Sequence, residues 1–178
     1  MSNNERLLTR VTAPASEPVT LAEAKLYLRV DGASEDALIS DLIVSARMAA
    51  EDFLRRSLIT QTWKLVFNDY ADDVALPMPP VVSVVSVVIR GRDDSTQTFN
   101  VGNYYLNAAK NKLVFDTTPI GFAVEITYNT GYGAAAAVPA SIKYGILAHI
   151  AASYDDRTNA QIPAAAIALY APFREVLL

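Results

Sequence analysis

Between Ser34 and Arg56 the apolar positions recur at steps of three and four. Leu38, Leu42, Ala46, Ala49 and Phe53 fall in line, with Ile39, Ile43, Ala50 and Leu54 beside them. That spacing predicts one helix over 34–56 with a continuous buried face. Ser34 is placed to cap its start. Glu35 and Asp36 occupy the first turn, and Arg55 and Arg56 the last, the ends where the helix dipole favours those charges. Ser40, Asp41, Ser45, Glu51 and Asp52 populate the polar side. The small residues Ala46, Ala49 and Ala50 leave room for a second helix. Upstream, Thr20 and Glu23 have the spacing of a capping box and predict a short helix over 21–29. Asp31 and Gly32 end it with a turn. Residues 1–17, polar and interrupted by Pro14, are expected to form a flexible arm without an element of its own.

At Thr62 the period changes from 3.6 to two. Trp63, Leu65 and Phe67 alternate with Thr62, Lys64, Val66 and Asn68, the pattern of a half-buried strand. Leu76 to Pro80 is a proline-stiffened link. Val81 to Arg90 is β-branched and apolar at most positions, so it is expected to be a central strand covered on both faces. A turn at Gly91–Ser95 returns the chain through 96–101. Further strands are expected at Tyr104–Leu106, Lys112–Phe115 and Phe122–Tyr128. Gly131 and Gly133 form a hinge, and Val138 and Pro139 start another helix, since proline suits the first helical position. Ile142, Ile146, His149, Ile150 and Ser153 share one face of it. A last short helix runs from Pro163 to about Tyr170, where Pro172 ends it. The order helices, strands, helices predicts an α+β fold. Its body is a helical bundle (18–60 and 138–172) interrupted by a small antiparallel β insertion (61–137), with a C-terminal tail at 173–178.

Composition narrows the function classes. A chain of 178 residues is one domain or one domain with an insertion. The absence of cysteine removes disulfides, thiolate catalysis and cysteine-bound metals. A formal net charge of −4 argues against general binding to nucleic-acid phosphates. The first residues lack the apolar run of a signal peptide, and Val81–Ile89 is too short to span a bilayer.

No catalytic constellation emerges. His149, the single histidine, lies among apolar neighbours and reads as a packed core residue. One histidine without cysteine gives no zinc site, and no metal, catalytic residue or cofactor is expected. The pairs Asp72–Asp73, Asp93–Asp94 and Asp155–Asp156 read as solvated turn residues. Gly131–Gly133 is followed by no Lys-Ser/Thr, so it is not a phosphate loop. The C-terminal segment says more. Phe173, Val176, Leu177 and Leu178 place apolar side chains beyond a helix-ending proline. Either this segment folds back on the body, or it is a docking peptide for a partner.

Residues spread over 18–174 carry a resemblance. They are Pro18 to Leu21 with Glu23 to Lys25, Leu28 to Val30, Glu35 and Asp36, the long helix, Arg56 to Trp63 and Leu76 to Val81. Gly131 to Gly133, Val138 and Pro139, Tyr154 to Arg157 and Leu169 to Arg174 continue the series. In order and spacing the chain resembles the phage head–tail connector family, the adaptor or head-completion proteins beneath the portal, in the branch with a β insertion. One departure is Thr158, where relatives often carry an acidic residue.

The resemblance implies a structural protein and not an enzyme. It implies a ring, commonly of twelve copies, under the portal protein. Such a ring extends the DNA channel and docks a stopper or other neck or tail protein. It places the chain in the virion neck of a phage, a gene transfer agent or a prophage remnant. DNA would pass through the lumen without specific binding, and an acidic chain suits that passage. By the same resemblance Phe173, Arg174, Val176, Leu177 and Leu178 are candidates for binding the portal. The polar face of the long helix (Asp41, Arg47, Glu51, Arg55) is a candidate subunit interface formed by rim ion pairs. The competing class is a ligand- or carbohydrate-binding β module, argued from Trp63, Tyr70, Tyr104, Tyr105 and Tyr128; aromatic residues are also ordinary strand formers. A stopper or tail-completion protein is disfavoured by the helical ends.

Overall fold

The computed structural model describes residues 6–68, 72–109, 111–156 and 161–175. Four α-helices and eight strands are found among them, and both sheets are antiparallel, so the fold is α+β. The chain divides into a helical unit, Ala15–Ile59 with Tyr132–Leu178, and a strand unit, Met1–Pro14 with Thr60–Gly131.

The helical unit is built on α1 (Leu21–Leu28), α2 (Asp36–Leu54), α3 (Ala140–Asp155) and α4 (Ala164–Tyr170). The capping box opens α1 as its sequence predicts: the Thr20 hydroxyl accepts the Glu23 amide, and the Glu23 carboxylate accepts the Thr20 amide at 2.7 Å. The helix stops at Arg29, in the left-handed region at φ 58°, before the Asp31–Gly32 turn. The start of α2 differs from expectation. Its N-cap is Glu35 and no side chain caps it, so Ser34 lies outside. The buried face is also rotated. Ile39, Ile43, Ala46, Ala50 and Leu54 are at its centre, whereas Leu38, Leu42, Ala49 and Phe53 are only half-buried. They pack with Ile142, Ile146, Ile150, Ala166 and Tyr170 in one core. Pro139 is the N-cap of α3. Pro172 does not end the last helix outright, because the chain continues as a 3-10 turn over Ala171–Phe173.

The strand unit holds β1 (Leu7–Thr12), β2 (Gln61–Phe67), β3 (Asp73–Ala75), β4 (Val81–Arg90), β5 (Thr96–Thr98), β6 (Tyr104–Leu106), β7 (Lys112–Phe115) and β8 (Ala123–Thr130). The sheets run β1-β2-β8-β4-β5 and β3-β7-β6. Their inner residues, among them Leu65, Phe67, Val87, Ile126 and Tyr128 with Val74, Leu113 and Phe115, form a second core.

Two expectations are overturned here. Residues 7–12, read as part of a flexible arm, are an edge strand paired with β2, Leu7 opposite Val66 and Arg10 opposite Trp63. Backbone pairing holds this strand, while only Leu8 packs on the core, so its apolar pattern is weak. Strand β4 is not covered on both faces. Its ladder with β8 shifts register between Val81 and Ser83 and again between Val84 and Ser86. Each bulge throws one valine out of the pairing. Val82 and Val85 are 52% and 57% exposed, and Val81, Val84 and Val87 stay turned to the core.

Candidate functional site

The residues singled out by sequence fall into two groups on the helical unit. The first is the polar side of α2. Asp41 and Arg55 are exposed there, as a rim contact requires. Arg47 and Glu51 are not: both are buried within the protomer. Arg47 Nε donates to Glu17 at 2.7 Å, and Nη1 donates to Glu51 at 2.9 Å. The other Glu51 oxygen accepts the Leu58 amide at 2.9 Å, just after the helix. Burial opposes the Arg47 charge, but the two carboxylates outweigh it, and the guanidinium is held more firmly protonated than usual. This pair is therefore an internal tie between α2 and its flanking segments, and not a set of free rim charges. The exposed stripe of α2 consists instead of Asp41, Val44, Met48, Asp52 and Arg55.

The second group is the C-terminal segment. Phe173 is half-buried against the helical core. Arg174 lays its guanidinium over the Phe53 ring, 4.9 Å from the centroid. The Glu175 amide donates to the Leu54 carbonyl at 3.0 Å. Arg56 donates to the Phe173 carbonyl and to the Glu175 carboxylate, each at 2.6 Å. Through Glu175 the segment is tied to the end of α2. Val176, Leu177 and Leu178 lie outside the described residues.

Sequence reasoning missed a third feature, an open groove between α1 and α3. Leu26, Tyr27, Arg29, Lys143, Tyr144 and Leu147 line it. Leu26 is 81% exposed and Tyr144 59%, and with Tyr27 they line one groove as a shared apolar patch. Lys143 pairs with Glu23 across the groove at 2.9 Å. The Thr20 backbone amide first, and Lys143 next, pull the Glu23 carboxyl down to a pKa of about 2. A signal existed in the sequence: Leu26 and Tyr27 lie off the inner side of α1, and Tyr144 off that of α3.

The other sequence candidates are used internally. His149 is buried on α3, and burial pushes its pKa down. Tyr128 is fully buried, Tyr104 stacks on Phe99, and Trp63 is half-buried beneath Arg10. Only Tyr105 of the described aromatic candidates is exposed, so they form no flat row for a sugar; Tyr70 lies outside the described residues. Among the described residues no group of three acidic or histidine side chains is placed to hold a metal. No helix among them is long and apolar enough to cross a membrane.

Residues 18–98 match the sequence family described as phage gp6-like head-tail connector protein. The match runs from the entry to α1 through α2 and into β5. No curated protein matches the chain. Among solved structures, the chain is similar to one in the neck of an empty gene transfer agent particle computed with C6 symmetry (TM-score 0.82). It is similar also to chains in the virion of a native gene transfer agent particle (0.81) and in the neck of a native particle computed with C12 symmetry (0.80). In each case identity is 22% and 97% of both chains is covered, a likeness of fold over nearly the whole length.

Proposed function

We propose that the chain is a member of the phage gp6-like head–tail connector family and acts as a ring-forming adaptor in the neck of a tailed phage or gene transfer agent. The family is one of structural connector proteins and not of enzymes. One observation carries the reading to the neck: over 97% of its length the chain shares its fold with chains of gene transfer agent necks and virions. The ring sits beneath the portal protein, extends the DNA channel, and offers its far side to the next neck protein. Twelve copies is the expected number on the portal.

The portal contact is assigned to the C-terminal segment in a divided form. Phe173, Arg174 and Glu175 anchor the segment on the body, as their contacts with Phe53, Leu54 and Arg56 support. Val176, Leu177 and Leu178 then carry the apolar side chains into the portal. The test is mass in solution by light scattering, for the chain alone and mixed with its portal protein. A ring, alone or on the portal, is expected. A monomer indifferent to the portal sinks the adaptor reading. Removal of residues 176–178 should abolish portal binding and leave the thermal melt unchanged; normal binding by the shortened chain overturns the portal role of the segment.

A further inference from the structure

We propose that the ring closes by seating the exposed stripe of α2 from one copy in the α1–α3 groove of the next. The inference rests on the ring-adaptor reading and names the surfaces it uses.

Three observations carry it. The first is apolar exposure on two separate faces of one unit. The groove presents Leu26, Tyr27 and Tyr144, and the stripe presents Val44 and Met48. A heterologous contact between unlike patches is what builds a closed ring.

The second is placement. Helices α1, α2 and α3 each pack on the other two. The outer groove between α1 and α3 therefore faces away from α2. The stripe lies on the side of α2 opposite its buried face, so it points the other way. Successive copies in a twelve-fold ring contact each other through surfaces roughly 150° apart, close to back-to-back. Neck particles whose chains share this fold were computed with sixfold and twelvefold symmetry.

The third is charge. The groove carries Arg29 and Lys143 against Glu23, one positive charge in excess. The stripe carries Asp41 and Asp52 against Arg55, one negative charge in excess. Lys143 is engaged with Glu23, which leaves Arg29 to face the aspartates. Complementary rims of this kind set register and partner choice more than affinity. Met48, flexible and unbranched, suits a contact between two tyrosines.

The chain has no cysteine, so thiol cross-linking reads the contact directly. Met48→Cys and Tyr144→Cys are introduced singly and together in the full chain. A short bismaleimide is added under the conditions that give rings with the unaltered protein. The double variant should give a ladder of covalent multimers. A mixture of the two single variants should stop at dimers, and each single variant alone should stay uncross-linked. In parallel, Arg29→Asp should reduce ring yield at least tenfold, and the double change Asp41→Arg with Asp52→Arg in the same chain should restore it. Thermal melts confirm that these surface variants fold. Rings that form without a 48–144 cross-link, or dimers from Met48→Cys alone, overturn this inference and leave the adaptor reading standing. An unaltered chain that forms no ring with or without portal protein overturns both.

Discussion

Arg47 and Glu51 stand four residues apart on α2, a spacing that on an exposed helix is a weak surface pair. Here both are buried, and the third member, Glu17, lies thirty positions upstream. Removing the guanidinium leaves the Glu51 carboxylate enclosed with only the Leu58 amide and its remaining contacts to offset desolvation. Arg47→Met is expected to cost about 3 kcal/mol of stability, the scale of breaking a buried pair from one side. Urea titration measures it. Charge reversal at exposed Arg55 should leave the midpoint unchanged, so a matching loss there would show that the Arg47 effect is not one of burial. The sequence puts both residues on the polar side of the helix, where the structure buries them. It holds no local sign that Glu17 returns to cover them, because that contact depends on how the segment before α1 crosses α2.

At the scale of elements, the local signals were the legible ones. The capping box of α1 needs only residues three apart, and the structure forms it as the spacing predicts. What local spacing does not reveal is the pairing with Lys143, which reaches Glu23 from α3. Together the Thr20 amide and Lys143 hold the Glu23 carboxyl at about 2, below its ordinary 4.5. A depressed carboxyl pKa means the unfolded chain takes up the proton first as pH falls. The contribution of Glu23 is therefore complete above about 4.5 and is lost between there and about 2. Glu23→Gln should flatten the stability–pH curve across that interval, as thermal melts on either side of it would read; a curve as steep as that of the unaltered chain counts against the bond pattern. The contact of α3 with α4 is equally specific and equally silent in the sequence. A Cβ at Gly145 would run into the ring of Tyr170. Gly145→Ala should destabilise by about 1–3 kcal/mol through overpacking, despite the better helix propensity of alanine. A melting temperature at or above that of the unaltered chain would refute the close approach. Strand β4 teaches the complementary lesson. Its valine pairs read as two covered faces because period-two reasoning has no place for an extra residue. Two bulges convert the same residues into a spacing of three, with Val82 and Val85 left outside.

For the whole molecule, the alternation of periods along the chain was enough to give an α+β fold with antiparallel strands between helices. It did not give β1, because a strand held by an edge ladder with few buried side chains leaves little mark on the apolar pattern. Net charge is the molecular property that bears most directly on the proposed role as a conduit. Fifteen basic and nineteen acidic residues leave each copy at −4, a deficit that the proposed ring would multiply. Non-specific binding to duplex DNA draws its free energy from counterions released as phosphates are neutralised, so a protein without a basic surplus has little to draw on. Assembled rings should retain duplex DNA more weakly than about 10⁻⁴ M at physiological salt, the weak end of the non-specific range. Filter retention across a salt series tests this directly. Steep loss of binding with rising salt, the signature of several neutralised phosphates, would place basic residues on the channel wall. It would turn the proposed wall from one that lets DNA slide into one that grips it.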